Sequence, residues 1–315
     1  MSLHVAILHG GISHERDVSL RGGRAVAEGL QAHGYATTLI DVSADIAATI
    51  TEIRACTPDV VFNNLHGPLG EDGAIQGVLE WLDLPYTHCD IRTSSLAMNK
   101  AASRQIFAAA GIPIAPGRLL TPAELAAAHP FETPYVVKPV AEGSSFGVHV
   151  IKGDDAAMQR RDIASSWTYG DVLLAEAFIP GRELTVSVLG ERPLTVTDIV
   201  AESAQDGFYD YHAKYAAGGS RHSLPANIPG RVFEDALRYA REAHAALGCR
   251  GATRADFRYD DSRSENALVI LEVNTQPGMT PTSLLPEQAA HCGMDFPQLC
   301  DWIVQEAWGR RKVRG

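Results

Sequence analysis

Cysteine is scarce in this chain of 315 residues. The five are Cys56, Cys89, Cys249, Cys292 and Cys300, an odd number with no CxxC pair. That pattern excludes a disulfide framework and a zinc knuckle, and it fits a reduced cytosolic setting. The 12 histidines contain no HExxH, so the sequence offers no histidine-bound metal. Basic residues are also short, 27 Lys and Arg against 38 Asp and Glu, a net charge of −11. This balance argues against a general binder of nucleic acid or anionic membrane. A phosphate-bearing substrate would need its cations gathered locally. No apolar run approaches the roughly 18 residues of a membrane span. MSLHVAILHGG has no basic leader before its apolar stretch and reads as a buried strand, not a secretion signal. No Walker loop and no convincing Ser-His or Cys-His motif occurs. What is present is ordinary globular material, 45% apolar and 21% charged. The length suits about two or three domains.

Strand and helix patterns alternate over the first 90 or so residues. Strands are expected at 4–9, 35–40 and 59–63, and helices at 18–33, 43–55 and 74–82. This order implies a parallel, Rossmann-like sheet with ligands beyond the carboxyl ends of its strands. The turn after the first strand and the loop LHGPLGEDG both lie there. A single helix is expected over 94–110. Strands follow near 134–138, 147–151, 171–176, 183–189 and 192–201, with a helix near 154–167. The stretch 203–228 reads as a long polar loop, with three tyrosines within 208–215. A loop of that length in a compact enzyme suits a lid. A helix at 231–247, strands near 252–259 and 267–273, and terminal helices complete the chain.

The most informative segment is the last pair of strands. In RADFRYD, period-two alternation puts Arg254, Asp256 and Arg258 on one face. In ALVILEVNT it puts Leu268, Ile270, Glu272 and Asn274 together. A hairpin centred at 264 sets Asp256 opposite Glu272 and Arg254 beside Asn274. Like charges opposed on a sheet are destabilising. A divalent cation between them reverses the sign, and three oxygen donors suit Mg²⁺. The same face also reads as a solvated ladder of salt bridges to Arg254 and Arg258.

Other segments suit phosphate. YVVKPVAEGSSFGV places Lys138 at a strand end before a loop of small residues, whose N–H groups and hydroxyls can approach an anion. Lys100 lies on the expected helix, and Lys214 lies in the tyrosine-rich loop. LLAEAFIPGRELTV, with Glu176 and Glu183 at strand ends, reads as a linker facing a base and a ribose, or as a plain exposed connection.

Together, GGISHERDVSL, LHGPLGEDG, KPVAEGSSFGV, FYDYHAKY, RADF and EVNTQPGMTPTSLLP resemble the ATP-grasp superfamily and, more narrowly, the D-alanine–D-alanine ligase family. They occur in the family's order over about residues 4–305. The resemblance implies an α/β and α+β chain, an ATP-grasp fold with an N-terminal Rossmann-like domain. The expected parts are 1–93 (substrate domain), 94–181 (central lobe) and 182–315 (C-terminal lobe with metal site and lid). It implies ATP-dependent ligation of two D-alanines through an acyl phosphate, for peptidoglycan precursors. D-alanine–D-lactate ligation and a non-catalytic nucleotide sensor are the alternatives, and Tyr215 favours the peptide product.

By the same resemblance, Lys100, Lys138 and Lys214 meet nucleotide phosphates, and Ser144 belongs to the ATP-side loop. Glu176, Ala177 and Ile179 border adenine, and Glu183 meets the ribose. Many relatives carry a longer polar residue at Ala177, where the contact is main-chain. Asp256, Glu272 and Asn274 hold two Mg²⁺ ions, with Mn²⁺ as a substitute. Glu15 receives the ammonium of the first D-alanine and joins Ser144 and Tyr215. His66 faces the substrate. Arg254 and the Gly278 N–H stabilise an oxyanion, and Ser283 and the Leu284 N–H bind the second carboxylate. The expected state is a cytoplasmic homodimer with no nucleic-acid or membrane partner.

Overall fold

The computed structural model describes residues 2–144, 146–201, 220–263 and 267–310, with the chain path alone at 201 and 220. The run Val5–Leu8 is wholly buried, as a strand covered on both faces must be. It lies in β1 (His4–Gly10), the centre of a parallel sheet of order β2-β1-β3. α1 (Arg16–Ala32), β2 (Ala36–Val42), α2 (Ile46–Cys56), β3 (Val60–Asn63) and α3 (Ala74–Trp81) alternate as expected. Val5 and Ile7 pack with Val26 and Leu30 of α1, while Ala6 and Leu8 pack with Ile53 and Leu79 of α2 and α3. Period-two alternation thus divides the two helical layers.

The single helix expected over 94–110 is broken at Asn99. α4 (Ile91–Met98) ends there and α5 (Lys100–Ala109) begins. Asn99 leaves the helical region (φ −83°, ψ 96°), and its Oδ1 accepts the Ala102 N–H at 3.0 Å. Apolar periodicity runs through the break, so spacing alone reads one helix. The capping preference of asparagine is the signal for two. Lys100 therefore heads α5, and its N–H bonds the Val140 carbonyl at 2.8 Å.

β4 (Gly117–Leu120) and α6 (Pro122–Ala127) were not among the expected elements. The second has a legible start: Thr121 and Glu124 form a capping box, with proline in the first turn. β5 (Tyr135–Pro139), β6 (His149–Ile151), α7 (Ala156–Ser165) and β7 (Leu173–Ala177) complete an antiparallel sheet of order β4-β7-β5-β6. Its core joins Tyr135, Val137 and Leu173 to Leu125 and Ala156 of the helices.

β8 (Arg182–Leu189), β9 (Arg192–Ala201), β10 (Ser220–Ser223), α8 (Gly230–Leu247), β11 (Ala252–Tyr259) and β12 (Leu268–Asn274) follow. The strands form a sheet of order β10-β9-β8-β11-β12. β10 falls inside the expected loop 203–228. α5 and α8 cover one face, with Phe107, Ala236 and Ala240 against Val186, Phe257 and Ile270. α9 (Leu284–His291) and α10 (Phe296–Gly309) follow β12, and Leu299 and Ile303 of α10 return to Val5 and Leu30. Among the described residues no helix is long and apolar enough to cross a membrane.

The β11–β12 hairpin pairs Arg254 with Asn274 and Asp256 with Glu272, the expected register. A bulge then intervenes, and Phe257 pairs with Ile270, leaving Leu271 as the extra residue. One inserted residue reverses the alternation. The expected common face of Leu268, Ile270, Glu272 and Asn274 is therefore corrected. Leu268 and Ile270 join Val273 in the core, whereas Glu272 and Asn274 line a cleft. The bulge lets an apolar strand bury its outer half and present two polar side chains at its end.

Candidate active site

Two adjoining cavities lie beside the two antiparallel sheets. The larger, about 1030 Å³, is lined by Glu15, His66, Ser144, Arg254, Asn274, Gly278, Ser283 and Leu284. The smaller, about 100 Å³, is lined by Lys138, Glu176, Ala177, Ile179, Glu183 and Asp256. Lys100 and Glu272 line both. Every expected site residue among the described ones thus borders one cavity or the other. Lys214 and Tyr215 lie outside the described residues.

The smaller cavity is built from ion pairs. Glu176, at the end of β7, receives both Arg104 of α5 and Lys138 of β5. Side-chain exposure is 7%, 8% and 4% for Arg104, Lys138 and Glu176, so this is a buried triad. Arg104 also donates to the Ala115 carbonyl. Arg258 reaches across from β11 to the Ile179 and Gly181 carbonyls at 3.1 and 2.9 Å, with Glu183 at 3.7 Å. It fixes the β7–β8 linker, whose turn needs Gly181 at φ +90°, where a Cβ would meet the Tyr259 carbonyl. Burial lowers the Arg258 pKa.

At the junction, Lys100 Nζ lies 3.0 Å from Glu272 and donates to the Glu142 carbonyl at 2.6 Å. A cation in the first turn of a helix opposes the helix dipole. Its place there follows from the carboxylate it meets. The Arg254 guanidinium forks onto Asp256 with two contacts of 2.8 Å, and the Thr185 hydroxyl donates to Asp256 at 2.6 Å. Asp256, Glu272 and Asn274 form an all-oxygen set at one end of the hairpin, which fits a hard divalent cation. Among the described residues no three His, Cys, Asp or Glu side chains cluster as a metal site; this set reaches three donors through Asn274.

In the larger cavity, Glu15 sits before the first turn of α1, only 5% exposed. Ser144, at φ +49°, donates its hydroxyl to Glu15. Phe146 stacks obliquely on His14, ring centroids 5.0 Å apart, so the β5–β6 loop closes over the β1–α1 turn. Burial lowers the His66 pKa, leaving a neutral imidazole.

Three contributors were missed from the sequence. Glu71 accepts the Gly67 N–H at 2.9 Å, and burial, then the nearby Glu15 charge, push its carboxyl up to about 8. Gln276 bonds the Leu65 carbonyl, the Asn63 amide and, through its own N–H, Asn274 Oδ1. It ties the end of β12 to the loop carrying His66. Arg104 meets Glu176 and the Ala115 carbonyl and was not singled out from the sequence. Arg104 and Gln276 carry no local signal, because each is defined by a distant partner.

Two antiparallel sheets flanking a cleft of lysines and carboxylates, beside a parallel-sheet unit, define an ATP-grasp protein. A family model described as D-ala D-ala ligase C-terminus matches residues 106–305, and one described as D-ala D-ala ligase N-terminus matches 45–89. The chain is 59% identical over 308 residues to a D-alanine–D-alanine ligase of Gluconobacter oxydans, covering 98% of this chain and 100% of that one. It is 58% identical over 305 residues to one of Granulibacter bethesdensis, covering 96% and 97%. The crystal structure of a Bacillus anthracis D-alanine–D-alanine ligase complexed with ATP superposes with a TM-score of 0.80 at 25% identity over 100% of both chains. The chain belongs to the D-alanine–D-alanine ligase family.

Proposed function

We propose that the chain joins two D-alanines at the expense of ATP, yielding D-alanyl-D-alanine for peptidoglycan precursors. The observation that carries this reading is the meeting of the two cavities at one ion pair, Lys100–Glu272. A phosphoryl group passing from nucleotide to amino acid must cross such a junction. The three sequence parts then divide the labour: 1–93 presents Glu15 and His66, 94–181 the lysines and Ser144, and 182–315 the carboxylates and Arg254.

In this reading ATP occupies the smaller cavity. The linker at Ala177 and Ile179 borders adenine through its main chain, with Glu176 holding Lys138 in place. Glu183 meets the ribose, and Lys100, Lys138 and Lys214 meet phosphates. Glu15 takes the ammonium of the first D-alanine, joined by Ser144 and Tyr215. The carboxylate of that D-alanine attacks the γ-phosphate to give a D-alanyl phosphate and ADP. Asp256, Glu272 and Asn274 would hold two Mg²⁺ ions, or Mn²⁺ in their place, which would offset the charge between two anionic reactants. The amine of the second D-alanine attacks the activated carbonyl. Arg254 and the Gly278 N–H stabilise the oxyanion, and phosphate leaves. The Ser283 hydroxyl turns to Thr280 (2.7 Å to its Oγ1), not to the first N–H groups of α9, which suits Ser283 and the Leu284 N–H to a substrate carboxylate. His66, neutral and buried, closes the substrate side without adding charge.

Incubation with ATP, Mg²⁺ and D-alanine tests the reading. ADP and the dipeptide are expected together, and ADP release that ignores D-alanine overturns it. D-lactate as second substrate, across pH, separates the ester-forming alternative. A cytoplasmic homodimer is the proposed state, read by sedimentation.

A further inference from the structure

We propose that His222 is a positioning residue for the acceptor amino acid, acting by holding the Glu287 carboxylate away from the pocket formed at Ser283 and Leu284. This deepens the ligase reading and rests on it. Glu287 lies in the first turn of α9, three residues after Leu284, and residues so spaced share a helix face. Both border the larger cavity, together with His222. A carboxylate on that face repels the carboxylate of an incoming amino acid.

The helix cannot turn to remove it. Gln288, wholly buried, accepts the Ser187 N–H at 2.8 Å and donates to the Thr185 carbonyl at 3.2 Å and the Thr197 hydroxyl at 2.9 Å. Those bonds tie α9 to β8 and β9. Only rotation of the Glu287 side chain can clear the pocket. His222 meets it there, Nδ1 to Oε2 at 2.7 Å. The ring is itself placed by the sheet, because His222 pairs with Ile199 in the β10–β9 ladder. Side-chain exposure of 16% and 32% leaves the pair partly screened and partly in the cavity wall.

Steady-state kinetics with D-alanine as both substrates tests this. His222→Ala should raise the Michaelis constant of the second D-alanine about tenfold, the order expected of a like charge left beside an anion site. The constants for ATP and the first D-alanine, and kcat, should hold. Adding Glu287→Gln to His222→Ala removes the charge and should recover most of the loss. An unchanged second constant, a parallel change in all constants, or no recovery in the double variant overturns the proposal. Thermal melting of the four forms reads the contact without turnover. Non-additive shifts support it, and additive ones overturn it. An unmutated chain that releases no ADP with D-alanine would refute the ligase reading, and melting alone would then decide the contact.

Discussion

The two cavities share a wall and treat buried charge differently. In the smaller, carboxylates are matched by cations: Glu176 by Arg104 and Lys138 of neighbouring elements, Asp256 by Arg254 of its own strand. In the larger, two carboxylates flank one glycine: a Cβ at Gly143 would sit 3.3 Å from Glu71 and 3.4 Å from Glu15. There the conflict is relieved by protonation, Glu71 rising to about 8. One wall pairs its buried carboxylates with cations. The other sets two carboxylates side by side around one glycine. A chain of net charge −11 manages both by placing its cations individually.

Removing a cation from the smaller cavity should break the contrast most. Arg104→Met leaves Glu176 buried with Lys138 alone, and losing one partner of a buried pair costs about 3–5 kcal/mol. Urea unfolding should show that loss, and the Michaelis constant for ATP should rise while those for D-alanine hold. An unchanged unfolding midpoint would mean that the triad contributes little. At the junction, Glu272→Gln should lower kcat by well over ~100-fold at saturating Mg²⁺, about 2.7 kcal/mol or more of transition-state stabilisation. Near-normal turnover would refute its role. Beside the larger cavity, Gln276→Leu strands the Leu65 carbonyl and removes one of two bonds of the Asn63 amide, at roughly 1–3 kcal/mol for the buried carbonyl left unpaired. Melting and kcat should fall together, since the same bonds hold the His66 loop.

Part of this contrast was legible before the fold was known, and the failures differ in kind. The faces of Asp256 and Glu272 are written locally, in the alternation of RADF and EVN, whereas their opposition rested on the assumed hairpin centre at 264. The bulge at Leu271 could not be read, because in VILEV any apolar residue could be the extra one. The break at Asn99 had a signal, an N-capping residue, that apolar periodicity overrode. Arg104 and Gln276 had none: Glu176 lies 72 positions from the first, and Leu65 lies 211 from the second. Periodicity reports which way a side chain points. It is silent on which distant group arrives to meet it.

The smallest effect, and the one that most sharpens the comparison, concerns Glu71. Its ordinary value of 4.5 rises to about 8 in the folded chain. Between those values the folded chain retains a proton that the unfolded chain has lost. The stabilisation from Glu71 is thus complete below about 4.5 and is lost as pH rises through about 8. His66, its pKa lowered by burial, works in the opposite sense: its contribution is present above its ordinary 6.5 and is lost as pH falls. From pH 6.5 to 9 the difference in unfolding between the unmutated chain and a Glu71 variant isolates the carboxyl, because the other titrating groups are common to both. Glu71→Gln keeps an acceptor for the Gly67 N–H and cannot ionise. Over that range the unmutated chain should lose roughly 2 kcal/mol that the variant keeps, at 1.36 kcal/mol per pH unit up to the folded pKa. Parallel stability curves for the two would show that the larger cavity relieves its carboxylates by some route other than a retained proton.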